Sequence, residues 1–266
     1  MIVIIIIIIL YLILSTKEHY ANINNNIHID DVFVLNLDKD LERWLSIKQH
    51  LNKANINASR ISAINGMDLD VDKLKANGEI VLHDSSFFNH NIDGRDSLKG
   101  SIACGMSHKK IWNRVLNDSN ITNALILEDD ANVPVDFWSK FNELNIPNNW
   151  DIIFCGGMRI YGDKISENII KAKFHDRWFN CGLYGYIINK KSVQKLLDIC
   201  TPITNYIDVQ MNHHYSDSIN AYYINPFIIT HNSNFPSSRI VSGNPDKIYN
   251  YDDTFKESGE IIRLVD

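Results

Sequence analysis

The chain has 266 residues, 45% of them hydrophobic, with a formal net charge of −6 at pH 7. This length holds one large α/β domain or two small ones, and the apolar share is that of a chain with a buried core rather than a disordered one. The acidic balance excludes a general nucleic-acid binder, which carries a basic face.

Ile2 to Leu14 form an unbroken apolar run, closed by Ser15, Thr16 and Lys17. The run is shorter than the roughly 20 residues of a bilayer span and has the length of a signal-peptide core. No Lys or Arg precedes it and no small-x-small site follows it, so a short uncleaved anchor is the other reading. A buried strand or core helix is the third, against which the density of isoleucine argues. Residues 1–16 are therefore expected to be a signal-anchor or signal peptide, 17–30 a polar stem, and 31–266 the folded domain. Asn57-Ala58-Ser59, Asn117-Asp118-Ser119 and Asn120-Ile121-Thr122 are glycosylation acceptor triplets that fit secretory entry. Cys104, Cys155, Cys181 and Cys200 show no C-x-x-C pair, which argues against a zinc site. They are read either as one or two disulfides or as buried thiols.

Strands and helices then alternate. Val32–Leu35 is a short apolar run of the kind buried on both faces of a sheet. Asp40 is placed to cap a helix, whose apolar face is read as Leu41, Trp44, Leu45, Ile47 and Leu51. Residues 65–100, polar and dotted with glycine, read as irregular loops. A helix is predicted over 105–117, with Ile111, Trp112, Val115 and Leu116 inward. Ala124–Leu127, Asp151–Phe154 and Leu183–Ile188 read as further strands. Asn189 is placed to cap a helix with Val193, Leu196, Leu197 and Cys200 on its buried side, stopped by Pro202. Tyr222–Ile229, interrupted by Pro226, reads as a last strand at an edge.

This alternation implies an α/β sandwich with a largely parallel sheet, which binds ligands beyond the carboxyl ends of its strands. Asn36-Leu37-Asp38, Glu128-Asp129-Asp130 and Cys155-Gly156-Gly157 follow three of the strands. Three adjacent carboxylates repel one another unless a cation or hydrogen-bond donors offset the charge. A Mg²⁺ or Mn²⁺ bound with a diphosphate is one such cation. Strand alternation would put Glu128 and Asp130 on one side and Asp129 on the other. A solvated acidic turn is the plain alternative.

Several segments together resemble glycosyltransferase family 25, which includes lipooligosaccharide and procollagen galactosyltransferases. Asn36-Leu37-Asp38 with Arg43 is similar to the family's N-L-D-x-x-x-x-R. Ala63-Ile64-Asn65-Gly66 is similar to A-x-D/N-G. Gly100 to His108, with Trp112, is similar to G-x-x-G-C-x-x-S-H-x-x-x-W. Leu127-Glu128-Asp129-Asp130 matches L-E-D-D. Gly182–Leu197 and Pro202-Ile203 with Asp208 follow in the family's order. The chain departs from the pattern at Ala103, where the family carries Gly, at Val193, where it carries a small residue, and in Thr204–Ile207, which separate Ile203 from Asp208.

The resemblance implies a GT-A-type, Rossmann-like three-layer sandwich with a mostly parallel central sheet. It implies transfer of a hexosyl group, galactose before glucose, from a UDP-sugar to a hydroxyl, with inversion and with Mn²⁺ or Mg²⁺. On it, the donor-binding residues are Asn36, Leu37, Asp38, Arg43, Gly66, Ser107, His108, Glu128 and Asp129. The metal ligands are Glu128, Asp130 and His231. The general base is Asp208, with Asp176 second. Arg43 as a surface residue, His108 as a buried structural histidine and Asp208 as a helix cap are the competing readings. The implied partners are a glycan, lipid-linked glycan or collagen-like protein acceptor and a membrane met through the first segment. The implied place is a type II membrane anchor or the secretory lumen. A nucleotidyltransferase and an inactive tethered binding module are the other function classes.

Overall fold

The computed structural model describes residues 27–82, 95–175 and 180–235, without the side chains of 95–97. The expected signal or anchor, the stem up to residue 26 and Asp176 lie outside these residues. Among the described residues no helix is long and apolar enough to cross a membrane.

Among the described residues, ten strands and six α-helices follow in chain order. The strands are β1 Asp31–Asn36, β2 Ser59–Ser62, β3 Asn123–Glu128, β4 Ala131–Asn132, β5 Ile152–Met158, β6 Gly162–Lys164, β7 Ile169–Ala172, β8 Cys181–Asn189, β9 Ala221–Ile224 and β10 Thr230–His231. The helices are α1 Leu41–Lys53, α2 Val71–Ala76, α3 Arg95–Asn117, α4 Phe137–Asn142, α5 Lys190–Ile199 and α6 Ile207–Asn212. Eight strands make one sheet in the order β2-β1-β3-β8-β5-β9-β7-β6, and β4 with β10 make a small ribbon.

The sheet has a hydrophobic core on each face, which is the three-layer α/β arrangement expected. On one face Phe33, Ile126, Phe154 and Tyr186 pack with Ile111, Trp112 and Val115 of α3 and Val193 and Leu196 of α5. On the other, Val34, Leu125, Ile153 and Ile187 pack with Ile47 and Leu51 of α1 and Phe137 and Phe141 of α4. Strands buried on both sides must be apolar at every position, which is why β1 and β3 read as solid apolar runs. The sheet is mixed: β1 runs parallel to β2 and β3, and β5 to β9, whereas β8 is antiparallel to both β3 and β5. The antiparallel β8 brings its first residues to the edge where β3 ends, since Gly185 lies opposite Leu127.

Four expectations are corrected. Asp40 stands at the cap position of α1 but makes no side-chain capping bond. Leu41 and Leu45 are exposed, and α1 instead buries Arg43, Ile47 and Leu51, spaced by four. Residues 65–100 are not all irregular. A 3₁₀ turn spans Gly66–Asp68, α2 follows with Asp70 accepting from Lys73 N–H, and α3 begins at Arg95. In α2 only Leu74 is buried, so the helix leaves no apolar period to read. The strand expected over 222–229 ends at Ile224, and β9 is interior, between β5 and β7.

Candidate active site

β1 delivers Asn36 to the carboxyl edge of the sheet with its side chain fully engaged. Its Nδ2 donates to Asp129 Oδ2 at 2.7 Å and to the Asp40 carbonyl at 3.0 Å. Its Oδ1 accepts from Arg60 Nε at 2.7 Å. Arg60 also reaches Asp38 Oδ1 at 2.9 Å, and Ser62 Oγ donates to Asp38 Oδ2 at 2.6 Å. The Ser62 and Arg60 hydrogen bonds hold the Asp38 carboxyl below its ordinary range. The Asn36-Leu37-Asp38 turn is therefore pinned from β2.

One turn into α1, Arg43 points inward. Its Nε donates to Asp129 Oδ1 at 2.7 Å and its Nη2 to Asp130 Oδ2 at 2.8 Å. Its guanidinium lies over the Phe235 ring at 5.4 Å. The two carboxylates that sequence alternation places on opposite sides thus share one cation. β3 ends at Glu128, and beyond it the chain turns, so the period of two no longer applies. Glu128 instead faces α3.

β10 places His231 beside this pair. His231 pairs with Ala131, and Asn232 N–H donates to the Asp130 carbonyl at 2.7 Å. The approach depends on glycine. Ile228 and Ile229 both donate their N–H to the Cys155 carbonyl as they cross β5. A Cβ at Gly156 would lie 2.5 Å from the Ile229 carbonyl oxygen. Gly156 therefore admits the chain segment that leads to His231. His231 Nε2 lies 3.6 Å from Asp130 Oδ2, with the Tyr184 ring 5.1 Å from its own.

The charges follow from burial and pairing. Burial pushes the Asp129 carboxyl up, against the pull of Arg43 and Asn36. Burial also pushes Asp130 up, but His231 and Arg43 outweigh it and its carboxyl sits below the ordinary range. His231 is raised, chiefly by the Asp130 carboxylate beside it. Both Asp129 oxygens are taken. Asp130 Oδ1 is buried and has no hydrogen-bond partner among the described residues.

The α3 side is built around His108, which is fully buried. Its Nδ1 meets Tyr186 Oη at 2.8 Å and its Nε2 meets Glu128 Oε1 at 3.3 Å. Trp112 Nε1 donates to the same Tyr186 oxygen at 3.0 Å. Burial opposes a charge on His108, yet Tyr186, Cys104 and Glu128 together raise it well above an ordinary histidine. Ser107 is turned away: its Oγ donates to the Ala103 carbonyl at 2.7 Å and accepts from Ile64 N–H at 2.9 Å. Gly66 lets its turn sit on α3, since a Cβ there would lie 2.7 Å from the Lys99 carbonyl carbon.

Asp208 lies in the first turn of α6, where Tyr206 is the cap residue. Its Oδ2 accepts from Gly182 N–H at 2.8 Å. Because Gly182 is the second residue of β8, this bond tethers Asp208 to the same edge that carries Glu128. Asn36, Arg43, Glu128, Asp129, Asp130, His108 and His231 are thus drawn into one cluster, while Ser107 and Gly66 hold the loop after β2 against α3. The sequence reading missed Arg60, Tyr186 and Cys104. The four cysteines are unbridged thiols, and burial pushes Cys200 up to about 12.

The sequence pattern described as Glycosyltransferase family 25 (LPS biosynthesis protein) matches residues 29–175. The chain belongs to glycosyltransferase family 25. Among curated relatives, procollagen galactosyltransferase 1 of Danio rerio is 26% identical over 215 residues, covering 77% of this chain and 34% of that protein. Procollagen galactosyltransferase 2 of Homo sapiens is 25% identical over 207 residues, covering 73% and 32%. A glycosyltransferase 25 family member of Aedes aegypti is 24% identical over 204 residues, covering 71% and 32%. The chain spans about a third of the length of the curated relatives it matches. The family match takes in β1, α1, α3 and the Glu128-Asp129-Asp130 turn, and it ends before β8, Asp208 and His231.

Proposed function

We propose that the chain transfers a hexosyl group, galactose before glucose, from a UDP-sugar to a hydroxyl of a glycan, lipid-linked glycan or collagen-like protein. The observation that carries this reading is the acidic turn at the carboxyl end of β3, where Arg43, Asn36 and His231 converge. Open α/β sheets bind nucleotides at that edge. The pinned Asn36-Leu37-Asp38 turn would offer Leu37 backbone groups to the base, with Arg43 toward ribose or phosphate.

Asp130, His231 and Glu128 are the residues that would hold Mn²⁺ or Mg²⁺. The fit rests on Asp130 Oδ1, a buried carboxylate oxygen without a partner among the described residues, and on an oxygen-rich donor set of the kind such ions use with phosphates. When bound, the cation would neutralise charge on the departing diphosphate. Asp129, with both oxygens taken, would orient Arg43 rather than ligate. Asp208 is the proposed base that takes the acceptor proton, in a transfer with inversion. We further propose that residues 1–16 address the domain to a membrane or the secretory lumen.

Screening UDP-sugars for release of UDP without added acceptor tests the reaction class. Preferred release from UDP-galactose is expected. Formation of a UDP-sugar from UTP and a sugar phosphate, with no UDP release, would favour a nucleotidyltransferase instead. For the base, Asp208→Asn should lower turnover roughly a hundredfold with donor affinity near normal. Unchanged turnover would reduce Asp208 to its tether on Gly182.

A further inference from the structure

We infer that Cys104, His108 and Glu128 form a second cation site, of the class that takes a borderline-soft divalent ion such as Zn²⁺. This does not rest on the sugar-transfer reading. Cys104 and His108 are four residues apart on α3 and so share one face, and that face meets the end of β3. One donor atom from each of the three residues lies within 4.8 Å of the other two. Around a tetrahedral ion with Zn–N and Zn–S bonds of ordinary length, donors sit about 3.3–3.8 Å apart. His108 Nε2 and Glu128 Oε1 are already at 3.3 Å, and rotation of the Cys104 side chain closes the remainder.

The imidazole is prepared as a ligand. Its Nδ1 is held by Tyr186 Oη at 2.8 Å, and Tyr186 is itself held by Trp112. Metal-ligating histidines are oriented by such a bond at the other ring nitrogen. Cys104 is half-buried, and the Glu128 side chain is 26% exposed. An ion therefore has a route in and a fourth position open to water, as in exchangeable or catalytic sites. A donor set of sulfur, nitrogen and one carboxylate oxygen favours Zn²⁺ over Mg²⁺ or Mn²⁺. On binding, the Cys104 S–H bond gives way to a sulfur–metal bond and the proton leaves to solvent. The ion would then fix Glu128 and clamp α3 to the end of β3, next to the Asp129–Asp130 turn. Glu128 keeps a second oxygen for that turn.

Co²⁺ titration of the purified full chain tests this, because thiolate bound to Co²⁺ gives a near-ultraviolet charge-transfer band that oxygen and nitrogen ligands do not. The expected result is a band saturating at one equivalent, displaced by Zn²⁺, and absent in Cys104→Ser. The other three thiols are buried, so wild type alkylated at Cys104 gives the same comparison without a substitution. Absence of the band in wild type would overturn the assignment, leaving Trp112, Tyr186, His108 and Glu128 as a hydrogen-bonded chain only. A band that survives loss or alkylation of Cys104 would overturn it equally. Co²⁺ held by Asp130 and His231 gives no thiolate band, so the two metal readings fail separately.

Discussion

Arg43 is the residue on which the acidic turn depends. Asp129 and Asp130 are both buried, and the Arg43 guanidinium is the cation both are hydrogen-bonded to. Removing one partner of a buried pair leaves uncompensated charge and costs about 3–5 kcal/mol. Arg43→Ala should therefore lower unfolding free energy in urea by about that much, before any effect on donor binding. A variant as stable as wild type would mean that Arg43 serves the donor alone. This role was only partly visible in sequence. Arg43 falls in the family's N-L-D-x-x-x-x-R pattern, but its direction was hidden because Leu41 and Leu45 suggested a different inner face. The clue was electrostatic: two buried aspartates need a counter-charge, and Arg43 follows the strand beside theirs.

At the scale of elements, legibility followed burial. β1, β3, β5 and β8 are buried on both faces and were read directly from apolar runs, as was the Asn189 cap of α5, whose side chain accepts from Ser192 N–H. The small α2, β6 and the β4–β10 ribbon bury too few side chains to leave a period. Asp151, just before β5, joins α5 to the start of β9. Its carboxylate accepts from Ser192 Oγ, from Lys195 Nζ at 2.9 Å and from Asn220 N–H at 2.8 Å. Burial pushes this carboxyl up, but Ser192, Asn220 and Lys195 outweigh it and hold it below the ordinary range. A depressed folded value means the contribution is present above the unfolded value, about 3.9, and is lost as pH falls through the folded one. Asp151→Asn should thus destabilise by about 1.5–3 kcal/mol near neutrality. Its difference from wild type should shrink below about pH 4. A difference independent of pH from 7 to 3 would show that the charge contributes nothing.

Across the whole molecule, the sheet edge gathers residues from distant parts of the sequence: Asn36 and Arg43, His108, Glu128 to Asp130, Asp208 through Gly182, and His231. The carboxyl-edge rule and the family resemblance pointed to most of them. Neither could give the mutual geometry, because β8 runs antiparallel and the 228–231 segment crosses Gly156, and both are matters of tertiary packing. We propose that this edge carries UDP-hexose-dependent transfer aided by a divalent cation at Asp130. UDP release from UDP-galactose, followed with Mn²⁺, with chelator and in Asp130→Asn, tests it most directly. Release with Mn²⁺ is expected, with loss in chelator, recovery when Mn²⁺ is restored, and near-complete loss in a folded Asp130→Asn. Full turnover in chelator, or an Asp130→Asn protein as active as wild type, would contradict it.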